Sequence, residues 1–262
     1  MAVDRTFAEL IAEGEAVPTA GWDFSWFDGR ATEERPRWGY SRAVADRVGR
    51  AETVLDVQTG GGEVLAGALR TAGQSRGGYR PALLAATESW PPNVEIARRN
   101  LAPFGGEVAE VADDADLPFP AGRFDLVVSR HPTEVLWQEI ARVLKPVGTY
   151  FSQQVGAGSN RELIDFMMGP QPVLPTRSPQ VAVAAATAAG LEVVDLQEQA
   201  LRVEFFDVAA VVHFLRKVLW TVPGFSVAGY GEPLERMHRH IRANGAFVCH
   251  SQRFLIEASK PS

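Results

Sequence analysis

Three carboxylates in the first half of the sequence stand where short apolar runs end or are about to begin. Asp56 ends one apolar run, Glu88 follows the run Ala82–Thr87, and Asp113 precedes the run Phe124–Ser129. A carboxylate at a strand end suits a ligand that is cationic or rich in hydrogen-bond donors. An acid at the second such position can accept hydrogen bonds from both hydroxyls of a ribose. The three positions therefore predict one ligand with a nucleoside part and an amino-acid part.

A glycine-rich turn, Gln58–Gly62, follows Asp56 and leads into an amphipathic stretch that begins at Glu63. Glycines in such a turn let the backbone approach a ligand closely, and the helix that follows offers unpaired N–H groups. Dinucleotide sites use a similar turn with G-x-G-x-x-G spacing and no acid at the strand end. Asp56 and the different glycine spacing therefore disfavour a nicotinamide-dependent oxidoreductase.

Short apolar runs alternate with helix-like segments from about residue 53 to 155, which is typical of a parallel α/β sheet. The predicted strands are Thr53–Val57, Ala82–Thr87, Phe124–Ser129 and Gly148–Gln153, and the predicted helices between them are Glu63–Arg70, Asn93–Leu101 and Glu134–Leu144. Further along, the pattern predicts a helix over Pro179–Ala189, strands over Leu191–Gln199 and Leu201–Phe206, a helix over Val208–Leu219 with Asp207 as its N-cap, a helix over Pro233–Ala243 and a final strand over Ala246–Ala258.

Taken in order, these motifs resemble a class I S-adenosylmethionine-dependent methyltransferase, of the subgroup that includes the ubiquinone/menaquinone-type enzymes. The resemblance covers about Val44 to Val155. It implies an α/β fold: a doubly wound, Rossmann-like, seven-stranded sheet whose last strand, Phe247–Glu257, is antiparallel, with helices on both faces. It divides the chain into an N-terminal helical and aromatic cap (1–50) and a cofactor-binding domain (51–262) with a helical, substrate-covering insertion at about 207–245.

The resemblance also implies S-adenosylmethionine as cofactor, with S-adenosylhomocysteine as product, and a set of binding residues. Asp56, Gly60 and Gly62 would surround the methionine part, Glu88 would bind the ribose, and Asp113 and Asp114 would bind the adenine. The full cofactor set is Asp56, Gln58, Thr59, Gly60, Gly61, Gly62, Glu88, Ser89, Asn93, Asp113, Asp114 and Ser129. Two positions depart from the family pattern: Gln58 replaces a glycine and narrows the pocket, and Asn93 replaces an apolar residue that usually covers the adenine.

Methyl transfer needs the acceptor atom in line with the methyl group, and a base only where the acceptor is protonated. His131 leaves the predicted fourth strand at the carboxyl edge of the sheet, which makes it the candidate general base; binding the cofactor carboxylate or capping the next helix are its alternative roles. The candidate substrate-binding residues are Trp22, Trp26, Arg130, Gln153, Gln154 and Phe214. Packing of the aromatic residues in a core explains them equally well.

The composition favours an ordinary globular protein. The chain has 262 residues, 46% of them apolar, a net charge of −6 and one cysteine, Cys249. No run is long enough for a conventional membrane span, and His238 and His240 have the wrong helical spacing for a metal site. The acidic balance disfavours nucleic acid as a partner. We therefore expect a cytoplasmic methyltransferase acting on a small molecule, with exposed N-terminal aromatic residues that allow a homodimer; the alternatives are an RNA methyltransferase and a non-catalytic cofactor-binding protein.

Overall fold

The computed structural model describes residues 5–19 and 24–262. Within these ranges the chain forms eight β-strands and nine α-helices. The strands are β1 (Ala31–Glu33), β2 (Thr53–Asp56), β3 (Leu83–Glu88), β4 (Glu107–Glu110), β5 (Phe124–Arg130), β6 (Leu144–Val155), β7 (Glu192–Phe205) and β8 (Phe247–Ser259). The helices are α1 (Phe7–Ala16), α2 (Tyr40–Val48), α3 (Glu63–Ser75), α4 (Pro91–Leu101), α5 (Trp137–Val143), α6 (Arg161–Met168), α7 (Pro179–Ala188), α8 (Val208–Lys217) and α9 (Gly231–Asn244).

The strands form one mixed sheet in the order β1-β7-β8-β6-β5-β2-β3-β4. Strands β2 to β6 run parallel to their neighbours in this group, and β8 runs antiparallel to β6, as predicted. The sheet has eight strands rather than the predicted seven in the described part of the chain. The strand β1 pairs antiparallel with β7 and comes from the segment predicted to be a helical and aromatic cap. Three residues are too few to show the alternating pattern that predicts a strand.

Two compact units divide the chain. The larger contains residues 36–156, 175–199 and 253–262. Its strands alternate their side chains between two apolar layers, so that Val54 packs with α2 and α3 whereas Leu55 packs with α5 and α7. Successive strand residues face opposite sides of a sheet, and both sides are covered here. This unit is therefore a three-layer α/β arrangement, which leaves the loops at the strand ends free to form a site.

The smaller unit comprises, of the described residues, 5–19, 24–35, 157–174 and 200–252. Its core is built from α1, α6, α8, α9 and the strand segments of this unit, with Leu10, Val212, Leu234 and Phe205 among its buried members. Asp207 caps α8 by accepting a hydrogen bond from the backbone N–H of Ala210 at 2.8 Å, which confirms the predicted N-cap.

Several predicted boundaries differ from the structure: α3 extends to Ser75 instead of Arg70, and β6 begins at Leu144 instead of Gly148. The two strands predicted over residues 191–206 are one continuous strand, β7, because no glycine or proline lies between Glu192 and Phe205 to interrupt it. The helix predicted from Glu134 begins at Trp137, since the carbonyl oxygen of Glu134 is held instead by the side chain of Gln58 at 2.8 Å. A contact from a distant segment overrides the local helical pattern here. Over the described ranges, we find no helix with both the length and the apolar character needed to span a membrane.

Candidate functional site

The first group of site residues lies where β2 ends and the glycine turn begins. Asp56, the last residue of β2, is buried and accepts a hydrogen bond from the Thr59 hydroxyl at 2.6 Å. Burial, with a smaller contribution from the charge of Glu88, raises the pKa of Asp56 to about 7 against the stabilising hydrogen bond from Thr59. A buried carboxyl with this pKa is ready to ionise when a cation is placed beside it.

Glu88, the last residue of β3, is tied to the same turn. Its carboxylate accepts hydrogen bonds from the backbone N–H of Gly60 at 2.8 Å and from that of Trp90 at 3.0 Å. Burial raises the pKa of Glu88 in spite of these backbone donors. Gly60 has φ +64° and Gly62 has φ +75°, so both lie in the left-handed region that favours glycine. Glycine at these two positions therefore lets the turn place the N–H of Gly60 on the Glu88 carboxylate.

Gln58 has a left-handed backbone, with φ +56°, although it is not a glycine. Its side chain reaches the loop between β5 and α5: Oε1 accepts a hydrogen bond from the backbone N–H of Thr133 at 2.6 Å, and Nε2 donates to the carbonyl oxygen of Glu134 at 2.8 Å. The Thr133 hydroxyl in turn donates to Oδ2 of Asp113 at 2.5 Å. These contacts join the glycine turn, the β5–α5 loop and Asp113 in one hydrogen-bond network.

A small cleft lies against this network. Residues Gln58, Asp113, Ser129 and Glu134 line it together with Tyr150, and the remaining lining is Val57, Thr87, Val111, Ala112, Ala115, Leu117, Pro132, Val135, Leu136 and Ile140. Its lining combines apolar side chains with a few polar groups, as is usual for small-molecule sites. Three of the predicted cofactor residues, Gln58, Asp113 and Ser129, therefore meet at one cavity.

Ser129 lies at the bottom of a buried polar cluster. Its hydroxyl is 2.8 Å from the hydroxyls of both Tyr150 and Ser152, and its carbonyl oxygen accepts a hydrogen bond from the Tyr40 hydroxyl at 2.7 Å. The cluster satisfies these buried hydroxyls within the protein and fixes the carboxyl end of β5. Tyr40, Tyr150 and Ser152 carry no local motif, and the sequence did not predict them.

His131 follows β5 in a left-handed conformation, with φ +55°. Its backbone N–H donates to the carbonyl oxygen of Gln153 at 2.7 Å, and its Nε2 lies 2.8 Å from Nε2 of the Gln153 side chain. Oε1 of Gln153 accepts a hydrogen bond from the indole N–H of Trp38 at 2.7 Å. Burial and the charges of Arg253 and Arg130 hold the pKa of His131 well below its usual value. His131 and Gln153, which the sequence predicts separately, are thus in direct contact, and Trp38 joins them without any signal in the sequence.

The remaining predicted site residues of the larger unit differ in burial and in hydrogen bonding. Ser89 is half-buried after β3, Asn93 is buried in the first turn of α4, and Asp114 and Arg130 are exposed. The carbonyl oxygen of Gly61 accepts a hydrogen bond from Asn100 at 2.8 Å. Gln154 is buried, and its Nε2 has no hydrogen-bond partner among the residues that the structure describes.

The candidate aromatic residues lie in the smaller unit. The Trp26 ring is 5.0 Å from that of His213, and the Phe214 ring is 5.3 Å from that of Phe205. Both pack against the apolar core of that unit. Trp22 lies outside the described residues. Core packing therefore accounts for the positions of Trp26 and Phe214 without a ligand.

Comparison with known proteins places this arrangement in a class. Residues 55–152 match a family model described as a methyltransferase domain. Solved structures that share the fold include the YcgJ protein from Bacillus subtilis, with 15% identity, a TM-score of 0.55 and coverage of 85% of this chain and 99% of that one. Geranyl diphosphate C-methyltransferase from Streptomyces coelicolor, solved with Mg²⁺, geranyl diphosphate and S-adenosyl-L-homocysteine, has 14% identity and a TM-score of 0.50, and the match covers 85% of this chain and 79% of that one. No curated protein matches the chain.

The central part of the chain is therefore a methyltransferase domain with a Rossmann-like fold. The protein is an S-adenosylmethionine-dependent methyltransferase. The matched residues extend from Leu55 in β2 to Ser152 in β6, so they include the glycine turn, Glu88, Asp113 and His131 but not Trp38 or Gln153. The structures compared share less than a fifth of their sequence with this chain, so they support the fold and say nothing about its acceptor.

The donor set of the site fits S-adenosylmethionine. Two buried acids, Asp56 and Glu88, lie at adjacent strand ends, and neither pKa is lowered by a neighbouring lysine or arginine. A buried carboxylate without a counter-charge is costly unless a ligand supplies one. The cofactor carries an ammonium group and two ribose hydroxyls, which are the cation and the donors that these two acids lack. The residues present therefore match the chemistry of the cofactor.

Proposed function

We propose that this methyltransferase acts on a small-molecule acceptor, and that it holds its cofactor in the cleft between the glycine turn and the β5–α5 loop. The observation that carries the proposal is the pair Asp56 and Glu88, connected through Thr59 and the Gly60 backbone. In this assignment the Asp56 carboxylate faces the ammonium group of the cofactor, and Glu88 accepts hydrogen bonds from the ribose hydroxyls. The bound cofactor supplies an electrophilic methyl group on a sulfonium.

The rest of the predicted cofactor set completes the cleft in this proposal. Gly61, Gly62, Ser89 and Asn93 surround the turn, and Ser129 closes the cavity floor. Asp113 and Asp114 bind the adenine, the first through its side chain and the second through its backbone. For Asp113 to do so, the Thr133 hydroxyl must release the carboxylate or share it. Arg130, Gln153 and Gln154 remain candidates for the acceptor side.

The inference that the acceptor is a small molecule rests on the net charge of the protein. The chain has a net charge of −6 and a calculated isoelectric point of about 5.5, which opposes binding to a phosphate backbone. Proteins of the same fold include an enzyme crystallised with geranyl diphosphate, a small molecule. We infer a small organic acceptor methylated at oxygen, nitrogen or carbon, in a cytoplasmic setting. The resemblance to ubiquinone/menaquinone-type enzymes makes an aromatic acceptor the first class to test.

The test follows the label from S-adenosylmethionine carrying a tritiated methyl group. The protein is incubated with a cell extract, and tritium is measured separately in the small-molecule fraction and in RNA. The proposal expects label in the small-molecule fraction, lost with Glu88→Gln. Glu110→Gln is the matched control, because Glu110 pairs in register with Glu88 from β4 and is exposed. Label that is found in RNA and released by nuclease would overturn the small-molecule assignment.

The cofactor assignment has its own measurement. Thermal unfolding is followed with S-adenosylhomocysteine, S-adenosylmethionine and NAD, each at about 100 times its expected dissociation constant. A ligand that binds only the folded state stabilises it by about 2.7 kcal/mol under this condition. We expect a shift with both adenosyl ligands and none with NAD. A shift that persists unchanged in Glu88→Gln would place the ligand elsewhere.

A further inference from the structure

A chain of three side chains in the larger unit determines which nitrogen of His131 carries its proton. The first link is Trp38, whose Nε1 lies 2.7 Å from Oε1 of Gln153. An indole N–H can only donate a hydrogen bond, so the atom that faces it must be an acceptor. This contact fixes the orientation of the Gln153 amide, with its oxygen toward Trp38 and its NH₂ group on the other side.

The second link is the contact between Gln153 and His131. Nε2 of Gln153 is a donor, and it lies 2.8 Å from Nε2 of His131. The histidine nitrogen must therefore accept, so its lone pair is occupied and the proton of a neutral ring lies on Nδ1. Gln153 is only 3% exposed, and water is therefore a poor substitute for either of its two partners.

The backbone holds the ring in place at the same point. The N–H of His131 donates to the carbonyl oxygen of Gln153 at 2.7 Å, while the residue has the left-handed φ of +55°. This conformation is uncommon for a residue with a side chain and persists where surrounding contacts determine it. Gln153 thus contacts both the backbone and the ring of His131, which makes the orientation of the ring a property of the fold.

The charges around the ring favour its neutral form. Burial lowers the pKa of His131 most, and the charges of Arg253, on β8, and of Arg130, the last residue of β5, lower it further. Nδ1 has no hydrogen-bond partner among the described residues. The neutral ring therefore offers one N–H donor through Nδ1, and a carboxylate oxygen is a stronger acceptor for that N–H than a neutral oxygen.

We infer that Trp38 and Gln153 are positioning residues that hold His131 as the neutral Nδ1–H tautomer, and that His131 thereby donates a hydrogen bond to a carboxylate oxygen of a ligand. The inference rests on the proposed function for the position of His131 at the site. It favours a binding role over the general-base role that the sequence predicts, since a base needs a free lone pair and Nε2 has none to offer. The carboxylate belongs either to the cofactor or to an acidic acceptor.

The tautomer is tested without any ligand. Long-range ¹H–¹⁵N correlation spectra of histidine-labelled protein distinguish the two neutral tautomers and the charged ring. The His131 signals are assigned with His131→Asn, because asparagine tolerates the left-handed backbone. We expect the Nδ1–H pattern from about pH 8 to about pH 6 with no uptake of a second proton. An Nε2–H pattern, or a charged ring near neutral pH, would overturn the inference.

Two variants test the role of the chain itself. Trp38→Phe removes the indole donor, so the Gln153 amide is free to turn and the spectrum should become a mixture of tautomers. Gln153→Glu places a carboxylate that accepts from both neighbours, and it should move the proton of His131 to Nε2 and raise its pKa. Trp137→Phe is the matched control, because the Trp137 indole packs against the Tyr150 ring and its N–H meets no acceptor within the described ranges. A spectrum that is the same in Trp38→Phe and Trp137→Phe would contradict the role of Trp38.

The source of the carboxylate is settled by titration calorimetry. S-adenosylhomocysteine carries a carboxylate, whereas 5′-methylthioadenosine lacks the amino-acid part. If His131 binds the cofactor, His131→Asn should raise the dissociation constant of S-adenosylhomocysteine about 10-fold. The dissociation constant of 5′-methylthioadenosine should stay unchanged. If it binds the acceptor, both affinities stay the same and the KM for the acceptor rises while the pH profile of kcat keeps its shape. If His131→Asn instead lowers only kcat and alters its pH profile, His131 acts as the general base, and its role as a hydrogen-bond donor is overturned. Failure of the native protein to bind either ligand would instead contradict the proposed function.

Discussion

The acidic side chains on the two sides of the candidate cofactor cleft differ in which groups donate hydrogen bonds to them. On the glycine-turn side (Asp56, Thr59, Gly60 and Glu88), the carboxylates are buried, accept hydrogen bonds from hydroxyl and backbone groups, and have raised pKa values. On the loop side (Gln58, Asp113, Thr133 and Glu134), the carboxylate and the carbonyl oxygen receive hydrogen bonds from the side chains of the protein itself. The first side lacks a positive partner, and the second is already satisfied.

This difference indicates that the glycine-turn side contributes most of the free energy of cofactor binding and that the loop side reduces it. A ligand that brings a cation and two hydroxyls removes the cost of burying the acids on the glycine-turn side. On the loop side the same ligand must compete with existing hydrogen bonds, and the exchange of one hydrogen bond for another yields little. Substitutions on the glycine-turn side should therefore weaken binding strongly, and a substitution on the loop side should strengthen it slightly.

Glu88→Gln should produce the largest effect, a loss of about 100-fold or more in affinity for S-adenosylhomocysteine. Hydrogen bonds to a charged group contribute roughly 1.5–3 kcal/mol each, and the variant weakens those to both ribose hydroxyls. An amide also has a single acceptor oxygen, so its NH₂ group must face either the N–H of Gly60 or that of Trp90. Calorimetry measures the loss, with Glu110→Gln as control. Affinity within a few-fold of the native protein would show that the ribose lies elsewhere.

Asp56→Asn should weaken binding by about 10-fold to 30-fold at pH 8 and stabilise the protein without ligand. The pKa of Asp56 is about 7 in the folded protein against 3.8 as its ordinary value, so the folded state holds this proton more tightly than the unfolded chain. This contribution to the free energy of unfolding is present below about pH 4 and is lost as the pH rises through about 7.

Replacing the carboxylate of Asp56 removes the cost of burying its charge at pH 8, and the unfolding temperature should rise by roughly 2–4 °C for each kcal/mol regained. Asp46→Asn, at an exposed acid on α2, is the control for loss of charge. A variant that is less stable at pH 8 and equally able to bind would refute the assignment of Asp56 to the cofactor ammonium.

The affinity of the native protein for S-adenosylhomocysteine should rise with pH between about 6 and 8. The ammonium group of the ligand binds the ionised form of Asp56, and at one pH unit below its pKa of about 7 only about a tenth of the molecules hold that form. The dissociation constant should therefore be about 10-fold higher at pH 6 than on the plateau above pH 8. Calorimetry in buffers of different ionisation enthalpy should show proton release on binding near pH 6. Asp56→Asn should flatten the profile, and a profile that stays steep in this variant would assign the titration to another group.

The sequence predicts the residues on the glycine-turn side of the cleft much better than those on the loop side. Asp56, the glycines and Glu88 belong to local patterns, an apolar run followed by an acid and then a turn, and the structure connects them by hydrogen bonds. Thr133 and Trp38 come from segments without such a pattern, and only the fold brings them to Asp113 and to Gln153.

The same limit applies to the fold. The α/β class and the antiparallel β8 follow from periodicity and from the family resemblance. The three-residue strand β1 and the delayed start of α5 depend on pairing with β7 and on the Gln58 side chain, which are contacts between residues far apart in the chain. Local patterns predict elements and strand-end residues, whereas hydrogen bonds between side chains of different segments follow only from the assembled sheet.

Thr133→Val should produce the smallest effect and one of opposite sign, a gain of about 2-fold to 5-fold in affinity for S-adenosylhomocysteine. The variant removes the hydroxyl that donates to Asp113 at 2.5 Å and leaves the backbone N–H that donates to Gln58. A ligand amino group then meets a carboxylate without a competing donor, and a gain of 2-fold to 5-fold corresponds to about 0.4–1 kcal/mol, which is a part of what a hydrogen bond to a charged group contributes. Thr133→Ser keeps the hydroxyl and should bind like the native protein. A loss of affinity in Thr133→Val, with Thr133→Ser unchanged, would mean that the hydroxyl helps to hold the ligand, and the loop side would then be part of the binding surface in its present hydrogen-bonded form.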